Sequence, residues 1–111
     1  MGDRGQVFIE SKGIYLYTHW GAWELIEAVK RALAKRWRWD DHEYLARIIF
    51  DEMIGEDFKT ETGYGIGTTR HDDIWRLITI TKNNKVIVND NDKIIFNDTF
   101  EEFIKWSEKI K

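Results

Sequence analysis

The stretch VFIESKGIYLYTHW at residues 7–20 decides the fold of this chain. The residues on both sides of segment 11–13 are mainly β-branched or aromatic, which predicts two strands joined by a glycine turn into a hairpin. In the second strand, alternation sends Tyr15, Tyr17 and His19 to one face and the even-numbered residues 14–20 to the other. We expect the even-numbered face to pack into the core and the odd-numbered face to be exposed to solvent.

Three helices are indicated by the spacing of apolar residues. From Ala22 the period changes to that of an amphipathic helix of about four turns. A second helix is expected to begin at Asp40, since Asp40 and Glu43 have capping-box spacing, and to end at Gly55. Asp98 is expected to cap the last helix. The apolar residues assigned to that helix are Phe100, Phe103, Ile104 and Ile110.

The second half of the chain predicts further strands. Residues 75–81 and 85–89 flank the pair Asn83-Asn84, which tolerates the positive φ of a tight turn, so they predict a hairpin. Residues 90–92 predict another turn, and residues 94–96 a short strand. Strands clustered in hairpins, with helices between and after them, indicate an α+β fold: a mostly antiparallel sheet of hairpins with about three helices packed on one face.

The composition fits one domain over residues 1–111, because 42% hydrophobic and 14% aromatic residues supply enough apolar surface for a core. The chain has no cysteine and no long apolar run, so disulfides, thiolate chemistry and a membrane partner are not expected. The first residues lack a signal-peptide pattern, which predicts a cytoplasmic location. Six tryptophans are hard to bury in one small core, which predicts a homo-oligomer.

Tyr15, Tyr17 and His19 form the first candidate binding surface. Two phenol rings and an imidazole offer stacking area and hydrogen-bonding groups to a flat polar ligand. A half-buried sheet face covered by a helix would account for the same residues.

Residues 61–69 carry glycine at positions 63, 65 and 67, which predicts either an irregular loop or a glycine-rich strand. A strand face without side chains lets a ring lie close to the backbone, and Trp20 or Trp23 is expected to fill it. The alternative is a small anion-binding loop, in which three threonines and Arg70 surround exposed backbone N–H groups.

No residue pattern identifies a catalytic or metal centre. His19 is the best candidate acid–base group, because an imidazole on a strand bordered by tyrosines suits proton transfer. A nucleophile is hard to assign, since neither Ser11 nor Ser107 lies in a recognisable nucleophile turn. The three histidines lack the spacing that places two ligands on one helix face, so neither a metal nor another cofactor is expected.

Residues 30–38 contain five cations interleaved with Trp37 and Trp39. Such a mixture is typical of grooves that bind single-stranded nucleic acid. Three acidic residues between positions 40 and 43 follow at once and cancel much of the positive field. A solvated helix face explains the cations as well.

The chain resembles a family of small uncharacterised proteins from phages, prophages and microbial genomes. Three segments carry the resemblance: YLYTHWG at 15–21, YLAR at 44–47 and GYGI at 63–66. The resemblance implies a mobile-element setting and a protein that binds something of the host. The residues it singles out as one site are Tyr17, His19, Arg47, Tyr64 and the glycines at 63 and 65. Arg47 would then hold an anion, unless it forms a salt bridge with Glu43 or Asp51.

The sequence therefore predicts a non-catalytic binding protein that captures a small anionic, nucleotide-like ligand or a host protein. The predicted ligand residues are Tyr15, Tyr17, His19, Arg47, Gly63, Tyr64, Gly65 and Arg70. Two alternatives stay open. One is an enzyme acting on nucleotides or phosphodiesters with His19 as acid–base, and the other is a single-stranded nucleic-acid binder using residues 30–38.

Overall fold

The computed structural model describes residues 3–107, which form a six-stranded sheet and three α-helices. The strands are β1 (Gly5–Ile9), β2 (Ile14–Thr18), β3 (Tyr64–Gly67), β4 (Arg76–Ile80), β5 (Lys85–Asp90) and β6 (Lys93–Thr99). The helices are α1 (Leu25–Ala34), α2 (His42–Ile54) and α3 (Phe100–Lys105), and a single 3₁₀ turn, Ala22–Glu24, precedes α1. None of the helices within residues 3–107 has the length and apolarity that a membrane crossing requires.

The strand order across the sheet is β3-β2-β1-β4-β5-β6. Neighbours pair antiparallel, except β1 and β4, which run parallel at the centre. Three hairpins, β1–β2, β4–β5 and β5–β6, supply most of the sheet, because short turns join antiparallel neighbours directly. This architecture confirms the predicted α+β fold and its mostly antiparallel sheet.

The core lies between the helices and one face of the sheet. Alternate residues of the central strands, such as Val7, Leu16 and Ile78, are at most 1% exposed and meet the apolar faces of the helices. The alternation predicted for β2 is confirmed here, since Leu16 and Thr18 are buried while Tyr15 and Tyr17 face away from the helices. The same prediction is wrong for Trp20, which lies beyond the end of the strand and is 46% exposed. Each fully buried aliphatic side chain contributes about 1.5–3 kcal/mol to folding.

Two predicted helix caps and one predicted strand differ from the structure. Asp41, not Asp40, caps α2, and its carboxylate accepts hydrogen bonds from the first-turn N–H groups. Thr99, not Asp98, caps α3, because the strand predicted at 94–96 extends over Lys93–Thr99 and Asp98 is part of it. A β-bulge in the β5–β6 pairing lets this longer strand continue. Ile110, assigned to the last helix, lies outside the described residues.

Residues 68–75 connect β3 to β4 across the face of the sheet that carries no helix. Because β3 and β4 both run parallel to β1, the connection must run back along the length of the sheet from the end of β3 to the start of β4. The side chain of Gln6 fixes it, donating to the carbonyl of Thr69 at 3.2 Å and accepting from the N–H of His71 at 2.9 Å. These two bonds explain why a glutamine is only 1% exposed there.

A buried ion pair holds the start of β4 against the 3₁₀ turn. Arg76 is fully buried and lies opposite Asp90 in the β4–β5 register. Its Nε and Nη2 donate to the two carboxylate oxygens at 2.8 Å each, and its Nη1 donates to the carbonyl of Ala22 at 3.4 Å. Since Ala22 begins the 3₁₀ turn, Arg76 helps to fix the position of the following residue, Trp23.

Candidate functional site

Pairing of β2 with β3 brings together six of the eight predicted ligand residues, all except the two arginines. Tyr17 lies opposite Gly65, and Thr18 lies opposite Tyr64. The pairing continues beyond β2, where the N–H of His19 donates to the carbonyl of Gly63 at 2.8 Å. The glycine-rich segment is thus a short edge strand, one of the two forms that its sequence predicted.

These residues divide between the two faces of the sheet. Tyr15 stacks on Phe8 on the face without helices, with ring centroids 4.4 Å apart. Beside them, Tyr17 stacks on His71 at 4.5 Å, and its hydroxyl lies 3.0 Å from Nδ1 of His19. Burial, followed by the nearby carboxylate of Asp73, raises the pKa of Tyr17. The crossing segment 68–75, rather than a helix, covers part of this surface.

The two predicted arginines lie apart from that cluster and are engaged elsewhere. Arg47 is on the exposed face of α2, where it donates to Asp51 at 2.6 Å, one of the two salt bridges weighed from the sequence. Arg70 donates to Asp92 at 2.9 Å. Neither guanidinium joins Tyr17 and His19 in one site.

Gly63 lies directly under the ring of Trp20. A Cβ atom added at this position would stand 2.3 Å from Cζ2 of Trp20, and the residue has a φ of +104°. This contact bears out the expectation that a tryptophan fills the glycine face at this position. The face is open at Gly65 and Gly67, where an added Cβ would meet no atom within 4 Å.

A pocket of about 230 Å³ opens where the end of β2 meets the 3₁₀ turn, α1 and α2. We call it the aromatic–acidic pocket. Its large aromatic side chains are Trp20, Trp23 and Tyr64. Its carboxylates are Asp3, Glu24, Glu52 and Asp57. Trp20 and Tyr64 come from the segments 7–20 and 61–69 that the sequence singled out, and Trp23 follows the first of them.

Hydrogen bonds hold the aromatic walls in place. The indole N–H of Trp20 donates to the hydroxyl of Tyr64 at 3.2 Å, and that hydroxyl donates to Asp57 at 3.1 Å. The rings of Trp20 and Tyr64 meet edge to face, with centroids 5.9 Å apart. Burial raises the pKa of Tyr64, and the Asp57 carboxylate adds to that rise while the bond from Trp20 opposes it.

Asp3 fixes the opposite wall. It accepts from the backbone N–H of Trp23 at 3.1 Å and from the indole N–H of Trp75 at 2.9 Å. The ring of Trp23 packs against that of Trp75, with centroids 5.1 Å apart, but Trp23 remains 61% exposed. An aromatic ring held in place and left accessible is suited to contact a ligand.

The charge of the pocket is negative. Its lining contains four carboxylates and one guanidinium, that of Arg31. Arg31 and Lys35 both pair with Glu52, at 2.8 and 3.2 Å, and the hydrogen bond from Arg31 is the main cause of the lowered pKa of Glu52. Within residues 3–107, no lysine or arginine forms an ion pair with the other three carboxylates.

The basic stretch 30–38 is largely engaged within the molecule. Lys30 donates to the carbonyl of Trp106, and Arg36 forms an ion pair with Glu101. Arg38 lies over the ring of Tyr44 at 4.4 Å. Together with the two cations on Glu52, these contacts leave little of the positive field that a nucleic-acid groove needs.

A second polar cluster lies at the opposite end of β2 and was missed from the sequence. Ser11, His42 and Asn84 come from the β1–β2 turn, the start of α2 and the β4–β5 turn, and their side chains form a hydrogen-bonded chain. No group of three or more histidine, cysteine or acidic side chains in the described part of the chain is arranged to hold a metal ion.

Neither a family model, nor a curated protein, nor a solved structure matches this chain. The resemblance to small phage and prophage proteins therefore stays a prediction.

Proposed function

We propose that the chain is a binding protein whose aromatic–acidic pocket captures a small organic cation. The observation that supports this is the joint presence of three large aromatic side chains and four carboxylates around one pocket of about 230 Å³. A cation over an aromatic face gains about 0.5–1 kcal/mol when exposed and about 2 kcal/mol when desolvated. The carboxylates add long-range attraction for the same charge.

The charge of the pocket argues against the anion that the sequence predicted. A phosphate or carboxylate ligand would meet Asp3, Glu24 and Asp57 with only an already paired guanidinium to offset them. The size argues in the same direction, because drug-sized ligands occupy pockets of about 300–1,000 Å³ and a whole nucleotide would remain mostly outside. A trimethylammonium group or the end of an arginine or lysine side chain suits the available volume.

Two sources can supply this cation. One is a free metabolite with an ammonium or quaternary ammonium group. The other is a basic side chain on the surface of a host protein, which keeps the macromolecular partner that the sequence predicted. The chemistry at the pocket is the same in both cases, and titration with a free cation and with a peptide distinguishes them.

The test is a calorimetric titration with choline and with 3,3-dimethyl-1-butanol, its neutral isostere. Choline should bind with an affinity that falls as salt is added, because salt screens the carboxylates, and the isostere should bind far more weakly. Adenosine monophosphate represents the anionic alternative. A peptide with one accessible trimethyllysine tests the second source, and binding of the peptide but not of choline would indicate a protein partner.

Variants assign the binding to the pocket. Trp23→Ala should weaken choline binding about tenfold, because loss of one cation–π contact costs about 1.4 kcal/mol. Trp37→Ala is the matched control, since Trp37 is 58% exposed but is not part of the pocket lining. Asp57→Asn removes a charge while leaving an oxygen to accept from Tyr64, and should also weaken binding. Equal binding of choline and its isostere, or equal effects of the two tryptophan variants, would contradict the proposal.

The pocket also bears on the predicted homo-oligomer. Trp20, Trp23 and Trp37 are 46%, 61% and 58% exposed, and the first two line the pocket, so ligand binding accounts for most of the exposed tryptophan surface. The oligomer stays a prediction, which light scattering across micromolar concentrations tests. A monomeric mass at all concentrations would leave the pocket as the reason for these exposed rings.

A further inference from the structure

Ser11, His42 and Asn84 form a chain of short hydrogen bonds beside an open cleft. The hydroxyl oxygen of Ser11 lies 2.6 Å from Nδ1 of His42, and Nε2 of His42 lies 2.8 Å from Oδ1 of Asn84. His42 is 8% exposed, whereas Ser11 is exposed to solvent. The cleft has a volume of about 520 Å³ and is lined by all three residues. A hydroxyl within hydrogen-bond reach of an imidazole that is itself oriented by a third group is the arrangement of an activated nucleophile.

The contacts around Asn84 fix the direction of its hydrogen bond with His42. The Nδ2 atom of Asn84 donates to the carbonyl of Trp39 at 3.1 Å, so the amide presents its oxygen to His42. An amide oxygen only accepts, and Nε2 of His42 must therefore carry the ring proton. Nδ1 of the neutral ring is then an acceptor, and the partner whose proton it accepts is the hydroxyl of Ser11.

We propose that Ser11 is a nucleophile activated by His42, and that the cleft accepts small acyl esters. The Ser11 oxygen attacks the ester carbonyl carbon while its proton moves to Nδ1 of His42. The bond to the alcohol breaks as the departing oxygen takes that proton, which leaves an acyl-serine. Water then attacks the acyl-serine and gives its proton to Nδ1, and the acid is released as Ser11 regains a proton.

The surroundings suit this chemistry in two respects. Two cations, Lys12 and Lys82, and one carboxylate, Asp40, line the cleft, and Lys12 also pairs with Glu43 at 3.5 Å, so the lining can offer positive charge to a developing oxyanion. Asn84 acts as a positioning residue, because it holds the ring of His42 and fixes which nitrogen bears the proton. The cleft and the aromatic–acidic pocket lie at opposite ends of β2, so this activity does not depend on cation binding.

The experiment is covalent labelling with diisopropyl fluorophosphate, followed by intact-mass and peptide-mass measurement. Ser11 should carry a single adduct, and Ser107, an exposed serine elsewhere, should stay unmodified in the same molecules. The sequence contains no other serine, so the internal comparison needs no variant.

Variants distinguish a nucleophilic Ser11 from a serine that only connects the turns by hydrogen bonds. His42→Gln keeps an amide able to hydrogen-bond but loses the base, and labelling should slow by about 100-fold or more. Asn84→Gly suits the φ of +61° at this position and removes the oxygen that orients the ring and fixes its tautomer, so labelling should slow although the base remains. Circular dichroism and thermal unfolding check that each variant is folded. Labelling of Ser11 no faster than that of Ser107 in the unaltered protein would overturn the proposal.

Discussion

Replacing Gly63 with alanine should destabilise the protein and open its pocket. The added Cβ would meet Cζ2 and Cη2 of Trp20 at 2.3 and 2.4 Å, and alanine would have to adopt a φ of +104°. Backbone strain of this kind costs about 1–3 kcal/mol. Overpacking usually costs another 1–3 kcal/mol or so, but Trp20 is 46% exposed and its ring is able to swing outward, so the lower end applies. We expect a total loss of about 2–4 kcal/mol in the free energy of unfolding.

The matched control is Gly65→Ala, two positions further along the chain and within β3. An added Cβ there meets no atom within 4 Å, so the free energy of unfolding should change by less than about 1 kcal/mol. Urea denaturation followed by circular dichroism gives both values by linear extrapolation. The outward movement of Trp20 would also break its bond to Tyr64, so Gly63→Ala should bind choline weakly. Equal stability of the two variants would refute the reasoning.

The remaining predictions concern charged groups. Asp90→Ala leaves the guanidinium of Arg76 buried without its carboxylate, and the free energy of unfolding measured in urea should fall by about 3 kcal/mol or more. Asp51→Ala removes an exposed ion pair with Arg47 and should lower the same quantity by about 0.5 kcal/mol or less. The pKa of Glu52 is lowered from an ordinary value of 4.5, so its contribution to stability is complete above that pH and is lost as pH falls through the folded-state pKa. Glu52→Gln should therefore flatten the acid limb of the stability curve, and an unchanged acid limb would show that Glu52 is not responsible.

The sequence specified the local elements well, because local pattern determines them. Alternation in residues 14–18 identified β2 and the direction of its faces, and the helical period identified α1 and α2. The helix caps were misplaced by one residue because adjacent polar residues satisfy the same rule. At the start of α2, the neighbouring aspartates at 40 and 41 both have a side chain able to cap, and the backbone selects the one in extended conformation.

The sites were less accessible to prediction, because they depend on contacts between distant parts of the chain. Trp20 and Tyr64 were both noted from sequence, yet their bond spans 44 positions and places them in a pocket rather than on the tyrosine face. Ser11 and His42 are 31 positions apart, and His42 and Asn84 are 42 apart, so no local motif marks the cluster. The cluster forms only where the β1–β2 turn, the β4–β5 turn and the start of α2 come together in the folded chain.

The most direct test of the central claim is a nuclear magnetic resonance titration of the tryptophan indole N–H signals with choline. Binding in the aromatic–acidic pocket predicts saturable shifts of the Trp20 and Trp23 signals, little change at Trp37, and much weaker effects of 3,3-dimethyl-1-butanol. Shifts of the same size with the neutral isostere would show that the rings form only an apolar surface. The absence of saturable shifts with either choline or the trimethyllysine peptide would contradict cation binding altogether.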